Sequence, residues 1–173
     1  LDAVRRPIVS PLDFDMPPGG LNIRWPDPPL EMERRLHGPK MQAVAAFARA
    51  NPFDRLVIDP PQARLGILAT GKAYLDVRQA LEDLGLDAAE CARLGIRLYK
   101  PGLTWPLERA GALRFADGLQ DVLVVEEKRS FVERQLLEML YNLPADRRPS
   151  VVGKRLETGE PLLPSAGELS PGL

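Results

Sequence analysis

One cysteine, Cys91, and one histidine, His37, are all that the 173 residues contain of either type. A structural zinc site or an iron–sulfur cluster takes about four such ligands, so the chain builds neither alone, and a lone cysteine closes no internal disulfide. Aromatic residues are scarce, at 6%. No apolar run reaches the ~20 residues of a membrane-spanning helix. Charge of one sign is lacking too: 23 Lys and Arg stand against 24 Asp and Glu, for a formal net charge of -1. Such a surface offers no electrostatic reason to bind a nucleic-acid backbone. These absences predict a soluble, cytoplasmic chain with no membrane and no nucleic-acid partner. An initiating Met and a signal-like segment are missing at Leu1, from which we expect a piece of a longer polypeptide.

Proline, by contrast, is plentiful and uneven. Of 18 prolines, most fall before residue 62 and several after residue 143. The text therefore divides into a Pro-rich interdomain arm (1–38), an α/β core (39–155) and a C-terminal tail or linker (156–173). Proline neither donates to a ladder nor sits in a helix interior, so the stretch from Leu1 to Leu30 is expected to be extended or turning. Phe14, Leu21, Ile23 and Trp25 are scattered through it. They leave two readings open: a linker, or an arm packed on a neighbouring domain.

The core alternates between strand and helix. Pro39 to Ala50 carries one apolar helical face and stops at Asn51-Pro52. Arg55–Ile58, flanked by prolines, reads as an edge strand. Leu65–Ala69 is a short apolar run of the kind buried in a parallel sheet. It leads into a helix with Tyr74, Val77, Leu81 and Leu84 on one face and Gly85 as its stop. Asp87 to Glu90 spells a capping box for a short helix, followed by the strand Ile96–Tyr99. A helix from Leu107 to about Phe115 comes next. Val122–Val125, the most strand-like run, is expected at the centre of the sheet. Ser130–Glu133 spells a second capping box before Val132, Leu136, Met139, Leu140 and Leu143, and Ser150–Gly153 supplies a last strand. The fold expected is three-layer α/β, a mostly parallel sheet with helices on both faces.

Ligands of such sheets bind beyond the carboxyl ends of the strands. That places Thr70-Gly71-Lys72, Lys100-Pro101-Gly102 and Glu126-Glu127-Lys128 as candidate neighbours. The amide groups of Gly71 and Lys72, opening a helix, could hold a phosphate or carboxylate, with Thr70 and Lys100 as further ligand or interdomain candidates; the plainer reading is a tight turn in which Gly71 admits close backbone approach. Glu126 and Glu127 could serve as acid and base. Adjacent strand side chains point to opposite faces, however, so the plainer role is an ion pair or hydrogen bond to Lys128, Arg129 or a neighbouring domain. Cys91 reads as a small buried hydrophobe, and His37 has no partner at ligand spacing. Catalytic and metal-binding residues are therefore expected to be none.

Four stretches carry a resemblance: Leu65–Tyr74 (LGILATGKAY), Leu98–Leu107 (LYKPGLTWPL), Val122–Lys128 (VLVVEEK) and Gly153-Lys154. Together they resemble the indolepyruvate ferredoxin oxidoreductases, which are thiamine-diphosphate-dependent 2-oxoacid:ferredoxin oxidoreductases. The resemblance implies the domain related to the C-terminal domain of transketolase, which helps organise the assembly beside the thiamine-binding domains. It also implies a parent enzyme that converts an aryl 2-oxoacid to an acyl-CoA with thiamine diphosphate, Mg and [4Fe–4S] clusters, and passes electrons to ferredoxin. The Gly-Asp-Gly to Asn-Asn pattern and the cysteine clusters of that chemistry are missing from this sequence. No cofactor is therefore expected in this fragment, which is read as a silent structural domain partnered by other domains or subunits. The competing reading is a small-ligand module in which the Gly71 turn and Lys100 hold CoA or another phosphate.

Overall fold

The computed structural model describes residues 8–22, 24–51 and 53–172. Expectations placed on Leu1, Ile23 and Pro52 lie outside these residues. The chain forms two compact units, divided between Phe53 and Asp54, whereas the sequence drew its boundary at residue 38.

In the first unit, two helices, α1 (Pro29–Arg35) and α2 (Met41–Ala50), run into each other through one wide turn at Leu36–Lys40. Gly38 breaks the helical geometry there, at φ -93° and ψ -105°. The described residues before Pro29 hold no helix or strand, as their prolines predict; α1, which the sequence reading did not place, begins where that stretch ends. Pro29 stands at the first helical position, where the missing N–H costs nothing, and Glu31 then Arg34 and Arg35 follow the helix dipole. The preceding arm is neither bare nor free. Asn51 donates to Val9 O and accepts from Val9 N, both at 2.8 Å, and Arg49 pairs with Asp13 at 2.7 Å.

The second unit holds a five-stranded sheet in the order β1 (Arg55–Ile58), β3 (Ile96–Lys100), β2 (Leu65–Ala69), β4 (Asp121–Val125), β5 (Ser150–Val152). Strand β1 runs antiparallel on the edge, as its prolines require, and the other neighbours pair in parallel. The centre is β2 and not β4. Only β2, uniformly apolar from Leu65 to Ala69, ladders with parallel strands on both sides while lying two strands from either edge.

Alternation along these strands makes two cores. Leu68, Tyr99, Val122 and Val124 face one side, under α5 (Arg109–Ala116) and α6 (Val132–Leu140). Ile67, Ala69, Leu98 and Val125 face the other, under α3 (Gly71–Asp83) and α4 (Ala88–Leu94). This is the expected three-layer α/β architecture. In α3 the buried face is Ala73, Val77 and Leu81; Leu84, expected inside, is 73% exposed because it lies past the last turn, where Gly85 at φ 72° redirects the chain. Helix α5 starts two residues later than expected because Glu108 caps it, accepting from the N–H groups of Ala110 and Gly111.

The segment after residue 155 was expected to be tail or linker. It folds back onto the sheet, with Leu169 buried among Ala73, Val77 and Ile67. Three lysines hold its backbone by its carbonyls: Lys154 on Pro164, Lys128 on Gly167 and Lys72 on Leu169. No single run of apolar residues marks such an attachment, which explains why it reads as tail.

Gly66, at the middle of β2, is where packing leaves no room. A Cβ there would lie against Leu119 Cδ1 and 2.7 Å from Phe115, a fully buried ring stacked on Tyr99 at 5.0 Å. Gly66→Ala is expected to destabilise the fold by about 1–3 kcal/mol, read as a lower urea midpoint; an unchanged midpoint would mean this contact is looser than described.

Candidate functional site

Parallel pairing sets the carboxyl ends of β2, β3 and β4 on one edge of the sheet. Thr70, Gly71, Lys72, Glu126 and Glu127 meet there, with Thr104 from the loop after β3, around a cleft of about 290 Å³. Lys100 does not join them: its ammonium sits over the Tyr74 ring, 5.1 Å from the centroid. The loop after β3 is fixed from below. Asp54 accepts from Tyr99 Oη at 2.6 Å and from Gly102 N at 2.7 Å, and burial, reinforced by that carboxylate, holds the Tyr99 hydroxyl well above the usual phenol range.

Glu126 is 4% exposed. Its carboxylate accepts the N–H groups of Phe131 and Glu133 on Oε1, at 2.9 and 3.1 Å, and of Val132 on Oε2, at 2.8 Å. Those are orphan donors at the start of α6, where the dipole also favours a negative charge. The capping box read at Ser130 is thereby corrected. The residue at the cap position is Phe131, and the Ser130 hydroxyl donates to the Glu133 side chain at 2.8 Å. A carboxylate five residues upstream has taken over the role because β4 delivers it directly beneath the helix.

Of the partners expected for Glu126 and Glu127, which were Lys128, Arg129 or a neighbouring domain, neither Lys128 nor Arg129 pairs with them among the described residues. Glu127 faces Lys72 at 3.7 Å, and Lys72 in turn holds Asp76 at 3.0 Å. The hydrogen bond to Asp76 raises the Lys72 ammonium above its ordinary range. Lys128 adopts φ 59°, the left-handed region, and donates to Gly167 O. Gly71 has φ 54° with nothing within 4 Å of where a Cβ would stand, so the turn needs glycine for its backbone angle and not for close approach.

Two residues that the sequence reading did not count among the site candidates, one of them Lys154 of the Gly153-Lys154 stretch, bind the site together. Lys154, 6% exposed, donates from Nζ to the Glu126 and Pro164 carbonyls, and its backbone N–H donates to Glu133 Oε2. Burial lowers its pKa. Gln135 accepts from Leu107 N and donates to the Thr104 and Phe131 carbonyls, joining the loop after β3 to α6. A lysine directly after a last strand and a glutamine inside an apolar helix were the available signals.

The donor set does not fit the cofactors that the family resemblance implies. Cys91, the sequence's one cysteine, is fully buried with its thiol on Leu86 O at 3.5 Å. Burial, followed by Asp87 and Glu90, raises its pKa, which suits the apolar role read for it. A [4Fe–4S] cluster finds no ligand set here. A diphosphate in the strand-end cleft would meet the Glu126 and Glu127 carboxylates, and among the described residues no three His, Cys, Asp or Glu gather as a metal site. His37 lies in the first unit, in the wide turn before α2. No described helix is long and apolar enough to cross a membrane.

Residues 54–171 match the family described as the indolepyruvate ferredoxin oxidoreductase middle domain. The chain is 34% identical over 98 residues to the indolepyruvate oxidoreductase subunit IorA of Methanothermobacter marburgensis, covering 57% of this chain and 15% of that protein. It is 35% identical over 86 residues to the IorA subunit of Pyrococcus horikoshii, covering 50% and 12%. The chain thus spans a small part of these relatives' length. The fold is shared with a 2-oxoglutarate:ferredoxin oxidoreductase from Magnetococcus marinus, at a TM-score of 0.51 and 18% identity, over 92% of this chain and 24% of that one.

With Glu126 as the cap of α6, Glu126→Ala should destabilise the unit by about 3 kcal/mol, because two buried donors and one part-buried donor lose their acceptor. Glu127→Gln should cost less than about 1 kcal/mol, because the half-buried Glu127 carboxylate makes only a 3.7 Å ion contact with Lys72 and no hydrogen bond on the oxygen nearest it. Urea denaturation of both variants distinguishes them; equal, small effects would remove the structural role from Glu126.

Proposed function

The chain belongs to the indolepyruvate ferredoxin oxidoreductase middle-domain family, and on that premise we propose that it is a structural and assembly domain of such an enzyme, silent by itself. One observation carries the reading: four of the ionisable groups at and around the strand ends are engaged by the fold. Glu126 caps α6, Lys154 fastens the C-terminal segment, Lys72 is held by Asp76 and Glu127, and Lys100 rests on Tyr74. A general acid or base needs a group free to exchange its proton with substrate. These groups are instead engaged by backbone, by neighbouring carboxylates or, for Lys100, by an aromatic face.

In this proposal the parent enzyme is a soluble cytoplasmic one that oxidatively decarboxylates aryl 2-oxoacids such as indolepyruvate to acyl-CoA. Thiamine diphosphate, Mg and [4Fe–4S] clusters, held by other domains or subunits, supply the chemistry, with ferredoxin as electron acceptor. The alternative of a CoA or phosphate module finds little support in the cleft. Its candidate lysine, Lys100, lies elsewhere, and the anion would share the cleft with two carboxylates.

Purified chain supplied with indolepyruvate, CoA, thiamine diphosphate and an artificial electron acceptor is expected to give no turnover. Calorimetric titration with CoA is expected to give no saturable heat. Turnover would contradict the structural reading, and micromolar CoA binding abolished by Lys100→Ala would favour the ligand module instead.

A further inference from the structure

Within its own unit, and among the described residues, the outer face of α6 has no partner. Val132, Leu136 and Leu140 turn to the core. On the opposite side Phe131, Arg134, Leu137, Glu138 and Tyr141 follow the three- and four-residue spacing of one helix face, and all five are exposed. Tyr141 is 74% exposed and Phe131 50%. Trp105 extends the patch, sharing a cleft with Phe131 and Arg134. Trp, Phe, Tyr and Arg are the residues enriched where proteins meet, and a solvated helix face seldom gathers them.

The charges on this face are placed against the local rules. Arg134 lies in the first turn and Glu138 in the last, the reverse of what the helix dipole favours. Arg before Glu is also the weaker order for an i,i+4 pair. Neither side chain makes a hydrogen bond or ion pair among the described residues. A locally unfavourable choice with no compensation inside the fold points to compensation from outside.

A second, antiparallel copy of the same helix supplies it. A two-fold axis at the level of residue 136 sets Arg134 against Glu138 of the second copy, and Glu138 against its Arg134. The same axis sets Phe131 against Tyr141 in both directions and brings the two Leu137 side chains beside the axis. One axis position serves both the ionic and the aromatic pairs, which is the self-complementarity that an isologous interface requires. The Arg134–Glu138 row is moreover an i,i+4 ridge, the kind that interdigitates in the commonest helix crossing. We propose that this chain self-associates as a two-fold dimer through α6. The proposal draws on this face alone and goes beyond the enzyme reading, so either can fail without the other.

Sedimentation equilibrium of the 173-residue chain over a concentration series is expected to show a species of twice the 19.1 kDa chain mass. Arg134→Glu sets like charges together at both ends of the interface and is expected to weaken the dimer by about a hundredfold; Glu138→Arg should do the same. The double variant Arg134→Glu/Glu138→Arg restores both ionic pairs and should dimerise again. Far-UV circular dichroism and the urea midpoint check that each variant is folded. A wild-type chain that stays monomeric, a dimer indifferent to the single reversals, or a double variant that remains monomeric would each overturn the proposal.

Discussion

The carboxylate of Glu126, lying under the first turn of α6 with three backbone N–H groups on its two oxygens, is the contact on which this edge of the molecule depends. A buried carboxylate is costly unless its charge is met by donors, and the orphan N–H groups of a helix start are costly unless they are accepted. Each requirement cancels the other. Because Glu126 directly follows β4, the contact also sets where α6 leaves the sheet, and so where Val132, Leu136 and Leu140 enter the core.

The same short stretch organises what lies beyond it. The Glu126 carbonyl receives the Lys154 ammonium from the residues after β5, and Glu133, held in place by the cap, receives the Lys154 N–H and the Ser130 hydroxyl. Lys154, Lys128 and Lys72 then grip the C-terminal segment by its carbonyls. At a strand end of the kind where α/β proteins bind ligands, these lysines hold the protein's own chain. On the proposed structural role, the low count of cysteine and histidine belongs to the same picture, for a scaffold has little need of soft or imidazole ligands.

Much of this was legible in the residues. Strands β1 to β5 and helices α2 to α6 stand where periodicity and punctuation put them, because an apolar run between prolines or glycines leaves little choice. What was hidden depended on distance along the chain. The cap of α6 comes from Glu126 and not from Ser130, since the fold brings a stronger acceptor to the helix start than the local motif does. The centre of the sheet is β2, because strand order follows from pairing and not from how apolar a strand is. Thr70, Gly71, Glu126 and Glu127 do converge, as parallel strands require, whereas Lys100 is drawn aside by Tyr74. Helix α1 was missed because its prolines fall at its start, the one place in a helix that tolerates them.

Glu126 serves the fold as the cap of α6, and amide hydrogen exchange at three positions tests this most directly. First-turn amides of a helix lack intrahelical acceptors and exchange early when solvent reaches them. With the Glu126 carboxylate as their acceptor, Phe131, Val132 and Glu133 should exchange slowly, opening only with the β4 amides in the core of the unit. Exchange of these three amides at the rate of exposed loop residues, while β4 stays protected, would contradict the account.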